Sequence, residues 1–332
     1  MIFPYDLTIA TVCRNALDFL PRCIESVQPM YQGSLKIEHL LVDGASTDGS
    51  VEYLQQQLEK GRITRFISEP DKGLYDAMNK AIHHAQGKII VFINADDTIC
   101  PEGAIACCEP ILAGRAEYTA GQALCVSNDS KKDYILYPKL KKALWRQPYC
   151  HQSMFCSTAL LRRIGGFAAE QFRIGADTEL MRRLYIAKVP FEAVQQISAH
   201  FYAGGVSYSP AVRTEVFDLM MHFTDAYCEE ARNTPGTAVI TLKHLRRYTT
   251  RMILQQAESS SLTEKHKELL TSFAKKLANA LPPAARRLIR LHQKLLVFWY
   301  ALNSRISSGK SRQTHMLHAE ISRIFIKSLK EI

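Results

Sequence analysis

Carboxylates recur in this chain just past short apolar runs: Asp43 in LLVDGASTDGS, Glu69 and Asp71 in SEPDKG, and Asp96-Asp97 in FINADD. One such residue is ordinary, because turns favour Asp. Three in succession would gather at one edge if the runs are neighbouring parallel strands, and open parallel sheets bind ligands beyond the carboxyl ends of their strands. Carboxylates crowded there repel one another unless a cation sits among them. Oxygen-only ligands suit Mg²⁺ or Mn²⁺ rather than zinc. A metal held this way can bridge and neutralise a diphosphate. Neither G-x-G-x-x-G after the first strand nor G-x-x-x-x-G-K-[ST] occurs, which disfavours a dinucleotide dehydrogenase and a P-loop NTPase.

The elements that must position these groups alternate. Leu7–Val12, Leu35–Val42, Ile63–Ile67 and Lys88–Ile93 read as strands. Between them, Leu17, Leu20, Cys23, Ile24 and Val27, then Leu74, Ala77, Met78, Ala81, Ile82 and Ala85, repeat at helical spacing. Ser46–Asp48 offers caps for a helix running to about Leu58. Strands separated by helices require crossover connections, so the reading is α/β with a mainly parallel sheet. The middle of the chain is less regular. Glu117–Val126 reads as a strand, Ser157–Ile164 as a short helix closed by Gly165-Gly166, and Asp177–Ala187 as a helix with Leu180, Leu184 and Ile186 inward. From about 211 the pattern is helical, interrupted at Pro282-Pro283.

Six segments, TIATVCRN (8–15), LLVDGASTDGS (40–50), EPDKGLYDAMNKAI (69–82), GKIIVFINADD (87–97), HQSMF (151–155) and IGADTELMRRL (174–184), resemble the signature series of the family 2 glycosyltransferases. These are inverting enzymes of the GT-A fold that use nucleotide-activated sugars. The resemblance covers about 5–210, with the motifs in family order, and is of the bacterial surface-glycan type. It implies a Rossmann-like sheet with helices on both faces over residues 1–210, followed by a helical region, 211–332, outside the match.

The resemblance also assigns roles. It implies that Asp43 contacts the nucleotide base, with Thr11 and Arg14 lining the same pocket and Asp71 on a nucleotide-contacting loop. Asp96 faces the ribose or a metal-bound water, Asp97 ligates Mn²⁺ or Mg²⁺ on the diphosphate, and His200 completes the metal shell. Asp177 is the general base that takes a proton from the acceptor, as a single in-line displacement requires; a helix N-cap is the bland alternative for it. His151 reads as a structural histidine, and Arg182 and Arg183 as surface charges. Three positions depart from the common family pattern: Gly44, Asn94 and Ala176 stand where many members carry a carboxylate.

The expected reaction moves a hexose or N-acetylhexosamine from a UDP-sugar to a glycan or lipid-linked acceptor, in surface-polysaccharide or oligosaccharide synthesis. A non-catalytic nucleotide-sugar-binding scaffold of the same fold, and a nucleotidyltransferase, are the alternatives.

Composition sets the setting. With 47% hydrophobic and 22% charged residues in 332, general disorder is excluded. The densest apolar run, Leu295–Leu302, is far shorter than a membrane span of ~18–20 residues. No basic leader or cleavage site opens the sequence, so no secretory signal is expected. The nine cysteines make no C-x-x-C pair and read as reduced thiols of a cytoplasmic protein. Residues 241–332 hold 18 Lys+Arg against 5 Asp+Glu, whereas 1–240 hold 24 against 27. Within the basic region, AARRLIRLHQKLLVFWYALNSRI (284–306) sets Arg286, Arg287, Arg290 and Lys294 against Leu, Ile, Phe and Trp. That composition suits a helix lying on an anionic membrane surface. Packing on protein, including a homo-oligomer contact, is the alternative, and no nucleic-acid motif is present.

Overall fold

A computed structural model describes residues 3–127, 132–204, 212–234, 236–253, 262–306 and 309–328. The chain forms two compact units, Met1–Tyr208 and Ser209–Ile332.

The first unit runs β1 (Tyr5–Cys13), α1 (Leu20–Val27), β2 (Ile37–Asp43), α2 (Ser50–Glu59), β3 (Arg65–Ser68), α3 (Leu74–His84), β4 (Gly87–Phe92), β5 (Thr98–Ile99) and α4 (Pro101–Leu112). It continues with β6 (Tyr118–Val126), β7 (Tyr134–Leu136), β8 (Met154–Ser157), α5 (Thr158–Arg163), α6 (Ala176–Ile186) and β9 (Phe191–Tyr202). Its strands join one sheet in the order β3-β2-β1-β4-β8-β6-β9-β5, with β7 beside β6. Pairing is parallel across β3-β2-β1-β4 and between β6 and β9. The strands β8, β7 and β5 add antiparallel pairs.

The expected α/β architecture is borne out, with parallel strands over the half that the alternating pattern covered. There β1 and β2 are buried at nearly every position, as strands covered on both faces must be. The amphipathic α1 carries Pro21 in its first turn and buries Leu20, Cys23, Ile24 and Val27. With Ala104, Cys107 and Cys108 of α4, Cys23 and Val27 pack on Leu7, Ile9, Ile89 and Val91. Helices α3 and α5 cover the opposite face. The N-terminus of α2 is organised by Asp48, whose carboxylate accepts from the Ser50 and Leu17 amides at 3.0 Å each.

The strand β9 was not legible in the sequence; it pairs with both β6 and β5 and brings α4 very close. An added Cβ at Gly103 of α4 would stand 2.0 Å from the Ile197 carbonyl oxygen of β9.

The second unit is helical: α7 (Val212–His222), α8 (Thr224–Asn233), α9 (Thr237–Ile253), α10 (Glu264–Ala280), α11 (Pro283–Ile306) and α12 (Gly309–Ser328). Phe217, Tyr227, Leu270, Phe273, Ile321 and Phe325 are buried in it. Thr263 caps α10 by accepting from the His266 amide, and Pro283 opens α11, where its missing N–H is no loss. No helix among the described residues is long and apolar enough to cross a membrane.

Candidate active site

One cavity lies beyond the carboxyl ends of β1 and β4, and a second, bordered by β7, shares a wall with it. The first, about 400 Å³, is lined by Arg14, Asp71, Asn94, Asp96 and Arg173 together with Tyr75 and Phe19. The second, about 330 Å³, is lined by Tyr137, Lys139, Arg146, Gln147 and Tyr149. His151, Asp177 and Phe201 line both.

Asp177 stands in the first turn of α6 and is 7% exposed. Its Oδ1 accepts from the Thr178 amide at 2.6 Å, and its Oδ2 from Gln147 Nε2 at 3.2 Å. The His151 Nδ1 lies 3.5 Å from the same Oδ2, and the other ring nitrogen, Nε2, lies 3.4 Å from Asn94 Nδ2. An amide nitrogen can only donate, so Nε2 accepts and the ring proton of a neutral His151 sits on Nδ1, facing Asp177. His151 is therefore part of the site rather than a purely structural residue.

Asp96 faces the first cavity, and Arg22 of α1 holds its backbone carbonyl at 2.5 Å while stacking on Tyr202, 3.6 Å from the ring centroid. Neither Arg22 nor Arg173 stood out in the sequence. Arg173 falls one residue before a motif, and Arg22 lies on the solvent side of an otherwise ordinary amphipathic helix.

Three residues expected in the pocket are turned away from it. Thr11 is fully buried and bonds His39 Nε2 at 3.1 Å and the Cys23 thiol at 3.6 Å. It follows the pleat of β1 to the inner side, while Val12 and Cys13 reach the cavity. Asp43 is fully buried as well: one oxygen accepts from the Ser46 hydroxyl and the Cys13 thiol, and the other from the Ser46 amide at 3.0 Å and Ser68 Oγ at 2.7 Å. It organises the loop after β2 instead of lining the cavity. His200 pairs with Thr98 across β9 and β5 and lines neither cavity.

Asp71 fills space that Gly44 leaves vacant, since a Cβ at Gly44 would meet the Asp71 carboxylate and lie 3.2 Å from Arg14 Cδ. The Asp71 Oδ1 also accepts from the Gly73 amide at 2.8 Å, fixing the loop before α3.

The arginines after Asp177 are not surface charges. Arg182 is 2% exposed and donates to the Ala143 carbonyl at 3.3 Å. Arg183 pairs with the buried Glu179 at 2.8 Å and donates to the Ile164 and Gly166 carbonyls. Their long side chains reach loops that come near only in the folded unit.

Neither Asp97 nor His200, the expected cation ligands, lines either cavity. Asp97 is fully buried, and its oxygens accept from Gln152 Nε2 at 2.6 Å and the Tyr202 amide at 3.0 Å. Burial, and after it the neighbouring Asp96, push its carboxyl up to about 7. No cluster of three metal-ligating His, Cys, Asp or Glu exists among the described residues. Asn94, however, carries a buried Oδ1 that accepts no hydrogen bond, and it lines the first cavity beside Asp96. One carboxylate and one amide oxygen fit a hard divalent ion that keeps waters and takes its other ligands from a substrate diphosphate.

The Glycosyl transferase family 2 model matches residues 8–168. An uncharacterized glycosyltransferase of Mycobacterium tuberculosis is 32% identical over 189 residues, covering 55% of this chain and 70% of that protein. The chain belongs to glycosyl transferase family 2. A PGL/p-HBAD biosynthesis glycosyltransferase of Mycobacterium bovis is 25% identical over 184 residues, 54% of this chain and 69% of that protein. In fold, the chain is similar to residues 1–349 of S. aureus TarS, solved in complex with UDP-GlcNAc. The TM-score is 0.59 at 12% identity, over 97% of this chain and 92% of the other. The protein is thus a glycosyltransferase. The family match ends before α6, so Asp177, which lines both cavities, lies outside it.

Proposed function

We propose that this glycosyltransferase inverts the anomeric centre in a single displacement, moving a hexose or N-acetylhexosamine from a UDP-sugar to a glycan or lipid-linked acceptor of surface-polysaccharide or oligosaccharide synthesis. The observation that carries this reading is the shared wall of the two cavities, in which Asp177 faces both. The nucleotide diphosphate lies in the first cavity, where Arg14 and Arg173 oppose its charge. The acceptor enters through the second. Its hydroxyl oxygen attacks the anomeric carbon, the bond to the β-phosphate oxygen breaks on the opposite side, and Asp177 takes the hydroxyl proton. His151, held by Asn94, orients Asp177 and stabilises its charge before the proton arrives.

Asp96 and the free Oδ1 of Asn94 are the protein donors for Mn²⁺ or Mg²⁺, which when bound stabilises charge on the leaving diphosphate. Asp97, gripped by Gln152 and Tyr202, sets the Asp96 loop in place. All nine cysteines are free thiols, which supports a reducing, cytoplasmic location, and the basic region 241–332 is the part we assign to the inner membrane surface.

The test is nucleotide release from a panel of UDP-, GDP- and dTDP-sugars with Mn²⁺ and a lipid extract as acceptor source. Release from a UDP-sugar, abolished by chelation and by Asp96→Asn, supports the reading. Release from another nucleotide class alone, or release indifferent to chelation, overturns the donor or the metal assignment.

A further inference from the structure

The second unit contains a cationic cavity whose lining shares no residue with the two cavities of the first unit. It measures about 580 Å³ and lies between α9 and α11, lined by Lys243, Arg246, His292, Gln293, Trp299 and Tyr300, with Val239 and Leu296. Its residues follow helical spacing: Val239, Lys243 and Arg246 on α9, and His292, Leu296 and Trp299 on α11. Arg246 is only 6% exposed. Its guanidinium stacks 5.0 Å from the Tyr300 ring centroid and reaches Ser322 Oγ at 3.5 Å. No carboxylate pairs with it among the described residues. A buried, unpaired guanidinium is unfavourable unless an anion completes it. Gln293 is 1% exposed and its Oε1 accepts no hydrogen bond. The cavity therefore offers two cations to an anion and one acceptor to a hydroxyl.

The surface beside this cavity is apolar. Leu288, Leu291, Leu295, Phe298 and Trp299 are 51–71% exposed, and their spacing puts them on one face of α11. The opposite face, with Ile289, Gln293 and Tyr300, is buried. Arg287 and Lys294 flank the apolar face, and Trp299 belongs to both the face and the cavity rim. The region 241–332 carries a net charge of +13.

We propose that this face docks on an anionic phospholipid surface, with a headgroup phosphodiester seated between Lys243 and Arg246 and a headgroup hydroxyl donating to Gln293. The apolar side chains of α11 enter the acyl boundary while Arg287 and Lys294 stay at headgroup level, the arrangement of an in-plane amphipathic helix. Charge complementarity selects the occupant: a second copy of a face this basic would repel itself, whereas an anionic lipid leaflet supplies the missing counter-charge. The inference rests on the membrane part of the proposed function alone and not on the transfer chemistry.

The experiment is co-sedimentation of the full chain with vesicles of phosphatidylcholine, with and without an anionic fraction of phosphatidylglycerol. Wild type, Lys243→Glu, Leu295→Ser/Phe298→Ser and a charge-matched control, Arg323→Glu, are compared. All four positions are solvent-exposed, and nucleotide binding to the first unit is measured on each to show that the chain is intact. Binding to the anionic vesicles that falls at least tenfold in Lys243→Glu and in the double variant, but less than threefold in Arg323→Glu, is the expected result. Equal loss in Lys243→Glu and Arg323→Glu would mean diffuse attraction and would overturn the headgroup site. Binding of free glycerol phosphate without vesicle binding would reassign the cavity to a soluble phosphate. A dimer in analytical ultracentrifugation that Leu295→Ser/Phe298→Ser dissociates, without vesicle binding, would reassign the face to self-association.

Discussion

His151 Nδ1 stands 3.5 Å from Asp177 Oδ2, and both side chains form the wall between the two cavities. With the ring's other nitrogen engaged by Asn94, the imidazole is fixed in the orientation that presents a proton to the carboxylate. His151 and Gln147 steady Oδ2 and the Thr178 amide holds Oδ1, so the carboxylate is fixed in place and must meet the acceptor hydroxyl through a remaining lone pair.

His151→Asn should therefore lower kcat about tenfold, leaving the donor KM within about twofold, because the donor pocket keeps Arg14, Asp71 and Asp96. A positioning role also changes the pH profile of kcat, whereas loss of a merely structural contact would lower kcat evenly at all pH values. Steady-state kinetics across pH distinguish the two.

Gly44 and Asp71 compete for one space. Gly44→Ala should displace the Asp71 carboxylate and Arg14, raising the donor KM about fivefold with kcat little changed. In a double-mutant cycle, Gly44→Ala should add little on top of Asp71→Ala, since the collision is then relieved. Additive losses would contradict the competition.

His39 of β2 is buried against β1, and burial lowers its pKa from 6.5 to about 3. The unfolded chain therefore binds a proton at this residue between pH 6.5 and 3 that the folded chain refuses. Its contribution is intact above pH 6.5 and is lost as pH falls towards 3, by up to ~1.4 kcal/mol per pH unit. Urea unfolding at pH 7 and pH 5 should show this loss, and His39→Gln should flatten it.

Gly103→Ala should destabilise the first unit by about 3 kcal/mol, the upper end of overpacking, because the added methyl meets the backbone of β9 rather than a movable side chain. A lowered urea midpoint with an unchanged slope would bear this out.

The first four strands and their helices were legible because apolar runs alternate there with amphipathic stretches. The directions of individual side chains were not. Positions 7 to 13 of β1 are all buried, so no polar alternation reveals that Thr11 turns inward while Val12 and Cys13 reach the cavity. Strand β9 was hidden for a different reason: FEAVQQISAHFY mixes polar and apolar residues without a period. Its pairing with β6 shifts register between Ala120 and Ala123, which breaks any regular alternation. Of the motif positions, Arg14, Asp71, Asp96 and Asp177 line the first cavity. Asp43 and Asp97 carry equally conspicuous carboxylates, but they are held by partners distant in sequence, Ser68 for one and Gln152 and Tyr202 for the other, and line neither cavity.

The most direct test of the account is Asp177→Asn, assayed for sugar transfer from a UDP-sugar and, separately, for UDP binding in Mn²⁺. The account predicts a fall in transfer of about 10³-fold, within the range for losing a general base, with UDP affinity unchanged within about threefold. Transfer that survives the substitution would contradict the assignment of Asp177 as the base between the two cavities.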